Sequence, residues 1–160
     1  MSKPVTANPV TDLDYLARTI YGEARGQSMA SKLAVGWVIR NRLITGRWGS
    51  TYKDVVTARL QFTCWSESKD PANYAAIMSP SGTAWTDSVT AANEVANADV
   101  LKDTVPDATH YYSPNAQAAL HKSKPGSYPE IPAFTNSPAV QVPNPPDVPA
   151  DSFKFYKNVP

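Results

Sequence analysis

Cysteine is almost absent. Cys64 stands alone in 160 residues, so no intrachain disulfide can form and a disulfide-stapled scaffold is excluded. An excess of one charge is missing too: the formal net charge is +1 and only 18% of residues are charged. That balance gives no general attraction to nucleic acid or to an anionic membrane, and it excludes a highly charged disordered chain. Long hydrophobic runs are lacking. The longest, LAVGWVI at 33–39, falls far short of the roughly 20 residues that cross a membrane, so no membrane span is expected. The first twenty residues, MSKPVTANPVTDLDYLARTI, contain no apolar stretch of the about 7–15 residues that a secretory signal needs, and the expectation is synthesis in a cytoplasm. Histidine is scarce as well. His110 and His121 do not form a close metal-ligand pair and Cys64 is distant from both, so neither a metal nor any other cofactor is expected.

What is present suits one compact domain. Hydrophobic residues make up 42% and aromatic residues 10% of the chain, and a chain of this length buries roughly two thirds of its unfolded surface. Residues 1–10 read as a leader and 11–160 as the domain. Thr11 or Asp12 can cap a helix whose apolar positions Leu13, Leu16, Ala17, Ile20 and Ala24 recur at helical spacing, with Gly26 as its stop. Ser28 can cap a second helix running to about Thr45 and ended by Gly46. LAVGWVI, inside it, is apolar around much of the circumference, which marks a central helix. Short helices fit Tyr52 to Leu60 and Pro71 to Met78, and Trp85, Val89, Ala92 and Ala96 give a third long amphipathic helix within 81–99.

The character changes at Pro106, because 11 of the 15 prolines lie in the last 55 residues. Proline lacks the amide hydrogen that helix interiors and central strands require, so only short strands or irregular coil are expected there. THYYS at 109–113 and FKFYK at 153–157 are the two β-like islands. The Pro-rich stretch 138–149 reads as an ordered wrap or a loose loop.

Glu23 is the residue that could carry chemistry. At about 100° per residue it falls on the flank of the first helix's apolar stripe, beside Leu16 and Ile20 and away from Arg18 and Arg25. Loss of hydration there disfavours the charged form and raises the pKa, as a general acid at neutral pH requires. By position alone, a solvated glutamate or one paired with an arginine is the commoner case.

The local sequence favours the chemical case. LARTIYGEARGQ at 16–27, AVGWVIRNR at 34–42, QFTCW at 61–65 and ATHYYSP at 108–114 resemble, in the same order, the motifs of the SleB/CwlJ-type cell-wall hydrolases, a family of spore cortex-lytic enzymes and phage or bacterial peptidoglycan lyases. The resemblance covers residues 13–114, with FKFYK similar to the family's closing aromatic strand. It implies a mainly α (α+β) lysozyme-like, lytic transglycosylase-like single domain with short β segments and a Pro-rich C-terminal wrap. It also implies that Glu23 is the catalytic acid, and that the loop after the central helix brings Gln61, Thr63 and Trp65 near the sugar, Thr63 being the favoured polar contact. Phe62 and Trp65 could stack on sugar rings, or equally serve the core. Tyr111 and Tyr112 alternate across an extended segment, so one ring points inward and the other outward. The resemblance places at least one of the two hydroxyls near Glu23, and the sequence leaves open which. The stretch 115–148 lacks the tryptophan that the family carries after its Y-Y-x-P motif.

The implied reaction is cleavage of peptidoglycan glycan strands between N-acetylmuramic acid and N-acetylglucosamine by a lytic transglycosylase route. There one glutamate protonates the leaving oxygen and then takes a proton from the C6 hydroxyl of the muramic acid. A hydrolytic muramidase is the close variant, which in most glycosidases needs a second carboxylate. Asp54, Glu67 and Asp70 are acidic and near QFTCW in sequence, and each reads first as a surface charge. A different class is an amidase or endopeptidase of the peptide stems with Cys64 as nucleophile and His110 or His121 as base; a third is a wall-binding module without activity. A monomer is expected. The lack of a signal sequence fits a phage endolysin that accumulates in the host cytoplasm and reaches the wall, on the periplasmic side, after release.

Overall fold

A computed structural model describes residues 11–59 and 61–160; the expected leader at 1–10 and the end of the short helix at Leu60 lie outside the described residues. Helix α1 spans Asp12–Ala24, with Thr11 as N-cap accepting from the Asp14 amide. Helix α2 spans Met29–Thr45, and its ends are those that the sequence suggests. Ser28 caps it from the Ser31 amide, and Gly46 closes it at φ 72°, a left-handed conformation that costs glycine nothing. Helix α3 covers Tyr52–Thr57, a short 3₁₀ turn follows at Thr63–Trp65, and α4 spans Pro71–Met78 with Asp70 as its cap. Helix α5 runs over Gly82–Asn97 and buries Trp85, Ser88, Ala91, Ala92 and Val95.

Helix α1 is the hub, packed by α2, α3, α4, α5 and the 3₁₀ turn. Leu16 and Ile20 are fully buried in it, each stabilising the fold by about 1.5–3 kcal/mol relative to exposure. Arg18 is unexpectedly buried as well, at 0% exposure. Its Nε bonds the Asp14 carboxylate at 3.2 Å and its Nη1 donates to the Ile77 carbonyl at 2.8 Å, tying α1 to the end of α4.

The VIRNR sequence of α2 explains how the C-terminal half is attached. Successive residues of a helix point 100° apart, so Arg40, Asn41 and Arg42 reach three different segments. Arg40 donates to the carbonyls of Val95 and Ala98 at the end of α5. The Asn41 side chain donates to Asp103 Oδ2 and to the Ala108 carbonyl. Arg42 donates through Nε to the Thr109 carbonyl at 2.6 Å, immediately before strand β1 (His110–Tyr112).

The Pro-rich segment holds more structure than expected. A sixth helix, α6, spans Pro114–Ser123, and strand β2 spans Val140–Val142, so the expectation of only short strands or coil after Pro106 is corrected. Pro114 occupies the first turn, where its missing N–H is not needed, Ser113 caps the Ala116 amide, and no proline interrupts 115–124. Strand β3 (Lys154–Lys157) lies at the centre of an antiparallel sheet of order β1-β3-β2. Tyr111, Phe155 and Val142 are cross-strand partners and share the inward face, whereas His110, Tyr156 and Tyr112 belong to the other.

Candidate active site

Glu23 sits at the last turn of α1, half-buried, where α1, the 3₁₀ turn and β1 converge. The Tyr111 hydroxyl donates to its Oε1 at 2.5 Å. The Cys64 thiol, from the 3₁₀ turn, is a second hydrogen-bonding partner of the same carboxyl group. Burial raises the Glu23 pKa above its ordinary 4.5, the dominant effect; the Tyr111 hydrogen bond opposes it, the Asp70 charge adds to it, and Cys64 and the Arg42 charge oppose it. The Tyr111 phenol is itself pushed well above 10, chiefly by burial and then by the Glu23 charge, and remains a donor at any physiological pH. Phe153 and Phe155 pack against its ring.

Arg42 is the concealed part of the site. Only 5% exposed, it lies between the rings of Trp48 and Phe62, donates to Gln61 Oε1 at 2.8 Å, and holds the chain entering β1 through Thr109. Burial lowers its pKa to about 10, which leaves it charged at neutral pH.

Of the residues singled out in the sequence, Glu23 and Tyr111 touch. Gln61 accepts from Arg42, whose charge acts on both Glu23 and Tyr111. Thr63 and Trp65 flank Cys64, Thr63 exposed and Trp65 half-buried. Trp65 stacks on Tyr15 and donates Nε1 to Thr19 Oγ1 at 2.8 Å, and Phe62 is buried beneath Arg42, so Phe62 serves the core. Tyr112 points away from Glu23 and packs with Phe134 and Tyr156 on the other face. Arg42 is a site residue that the sequence does not single out, and Cys64 supports the acid where the sequence suggests only a nucleophile. The usable signal for both was their place inside the VIRNR and QFTCW motifs.

Asp70 raises the pKa of both Glu23 and Cys64 by its charge, yet its two oxygens accept from the Asn73 amide and side chain as the cap of α4. Asp54 and Glu67 are exposed. Cys64 is fully buried, and burial first, then the Glu23 and Asp70 charges, push its thiol far up, the opposite of what a nucleophile needs. The His110 ring lies on the sheet face opposite Tyr111, bonded to Thr109 Oγ1 and lowered to about 4 by burial and by Arg42 and Arg47; His121 bonds the Tyr128 carbonyl. Among the described residues no group of three His, Cys, Asp or Glu could hold a metal ion, and no helix is long and apolar enough to cross a membrane.

Comparison with known proteins bears on the family and the fold. The family model for cell wall hydrolases matches residues 26–134, more than half of the chain, beginning just after Glu23. The structure is similar to the catalytic domain of the germination-specific lytic transglycosylase SleB from Bacillus anthracis, with a TM-score of 0.58 and 21% identity over 94% of this chain and 98% of that one. At that identity the likeness speaks for the fold, a mainly helical, lytic transglycosylase-like single domain. No curated protein matches.

Proposed function

The chain belongs to the cell wall hydrolase family, and from that premise we propose that it cleaves the glycan strand of peptidoglycan with Glu23 as its single acid. The observation that carries this reading is the Tyr111–Glu23 contact. With Tyr111 donating to Oε1, the proton of the neutral acid is assigned to Oε2, the oxygen proposed to meet the substrate. As the glycosidic bond breaks, Oε2 gives its proton to the leaving oxygen. The carboxylate that results is stabilised by the Tyr111 hydroxyl and the Cys64 thiol, whose hydrogen bonds both favour the charged form.

The same carboxylate then serves as base for the C6 hydroxyl of the muramic acid, which closes on C1 to give a 1,6-anhydro product. This lytic transglycosylase route needs no second carboxylate. It is favoured over hydrolysis because Asp70, whose charge acts on Glu23, is spent on capping α4. Gln61, Thr63 and Trp65 are proposed as sugar contacts, Thr63 first because it is exposed, whereas Tyr112, on the sheet face opposite Tyr111, is not. We assign the protein a role as an endolysin, made in a host cytoplasm and acting on the wall after release. Digestion of purified peptidoglycan followed by mass analysis tests the reaction: anhydro-muramic ends are expected, and reducing muramic ends alone would mean hydrolysis.

A further inference from the structure

A cavity of about 390 Å³ lies between the end of α3 and the 3₁₀ turn and shares Thr63 and Trp65 with the proposed sugar contacts, while Glu23 itself does not line it. It is lined by Phe62 and Trp65, by Thr63 and Ser66, and by Arg59 and Lys69. The aromatic residues are buried or half-buried and the two cations exposed, so the apolar surface lies inward and the positive charge stands where the cavity meets solvent. Among the described residues neither cation forms an ion pair. Of the acids near them in sequence, neither Asp70, which caps α4 and accepts from Asn73, nor the exposed Glu67 forms an ion pair with them. Two unpaired cations over an aromatic interior suit an amphipathic carboxylate ligand better than a neutral sugar.

We infer that this cavity is a subsite for the peptide stems of peptidoglycan, with Arg59 and Lys69 recognising stem carboxylates and the apolar interior taking up the aliphatic parts of the stem. The inference rests on the glycan-cleaving reading of Glu23. Cys64, the thiol that touches Glu23, lies between Thr63 and Trp65, which line the cavity, so the cavity borders the turn that builds the acid's surroundings. In a glycan of N-acetylated sugars the carboxylates sit on the stems, and a stem of four residues spans up to roughly 13 Å when extended. A stem on a muramic acid bound at Glu23 extends over that length from the acid, whose neighbour Cys64 stands between two residues that line the cavity.

The test uses sacculi freed of other anionic polymers, either with stems intact or with stems removed by an amidase, which leaves only the lactyl carboxylate on each muramic acid and takes away the carboxylates further out on the stem. Wild type is compared with Arg59→Gln/Lys69→Gln and with Glu23→Gln. Wild type is expected to cleave stem-bearing strands with the lower KM. In the double variant the stem-bearing to stripped ratio of kcat/KM falls about 3- to 10-fold through KM, as expected for exposed charge pairs, and in wild type the ratio falls as salt is raised. A wild type without preference, or a double variant with the wild-type ratio, overturns the subsite. If wild type cleaves neither substrate, or Glu23→Gln cleaves both at the normal rate, the glycan reading itself is overturned.

Discussion

A side-chain carbon on Gly22 would stand 3.0 Å from both Cβ and Sγ of Cys64, and 2.8 Å from Cγ2 of Ile77. The bare backbone at this point lets the 3₁₀ turn and α4 close onto α1 one residue before Glu23. The glycine of the YGEARG motif is thus what allows a thiol to reach the acid. Gly22→Ala is predicted to lose about 1–3 kcal/mol of stability from overpacking and to lower activity by displacing Cys64 and its turn. Thermal melts and a lysis assay check it; unchanged values in both would mean that the turn tolerates the shift.

Tyr111→Phe removes a donor and keeps the ring against Phe153 and Phe155. The fold is retained, and kcat falls about 10- to 100-fold through loss of orientation and charge stabilisation. Because the Tyr111 hydrogen bond lowers the Glu23 pKa, its loss moves the alkaline limb of the rate profile to higher pH. A limb that moves downward, or a rate unchanged, contradicts this.

Asp70→Asn leaves a good helix cap and removes a charge that raises the Glu23 pKa. Activity is predicted to stay within several-fold of wild type, with the alkaline limb shifted to lower pH. A loss on the order of a thousand-fold would instead identify Asp70 as a second catalytic carboxylate and favour hydrolysis.

Glu23 also makes stability depend on pH. Its folded-state pKa is raised above the ordinary 4.5, so the native state holds the proton more tightly than the unfolded chain does. The contribution is complete below about pH 4.5 and is lost as pH rises through the folded value. Glu23→Gln escapes that loss. Melts between pH 4 and 8 should show the variant gaining on wild type as pH rises; a difference independent of pH would show that the acid is not perturbed.

Much of the fold is legible in the sequence where a single residue type decides the backbone. Ser28 and Gly46 mark α2 because a hydroxyl cap and a left-handed glycine act locally, and the alternation at Tyr111 and Tyr112 splits the two rings because strand geometry leaves no choice. The family resemblance, carried by four motifs in order, is borne out by the match over residues 26–134. Proline count misled at α6, since Pro114 starts a helix where an interior proline would break one. The burial of Arg18 and Arg42 is not legible in the sequence, because burying an arginine needs carbonyls that only the tertiary fold supplies, those of Ile77 and Thr109. Cys64 could be linked to Glu23 only once the close approach at Gly22 was known.

The most direct measurement is the rate at which purified Glu23→Gln clears a peptidoglycan suspension beside wild type, with circular dichroism verifying that both are folded. Removing the transferable proton while keeping the shape of the side chain should reduce clearing by at least about a thousand-fold and abolish anhydro-muramic ends. A folded variant that clears the suspension at the wild-type rate would contradict the account.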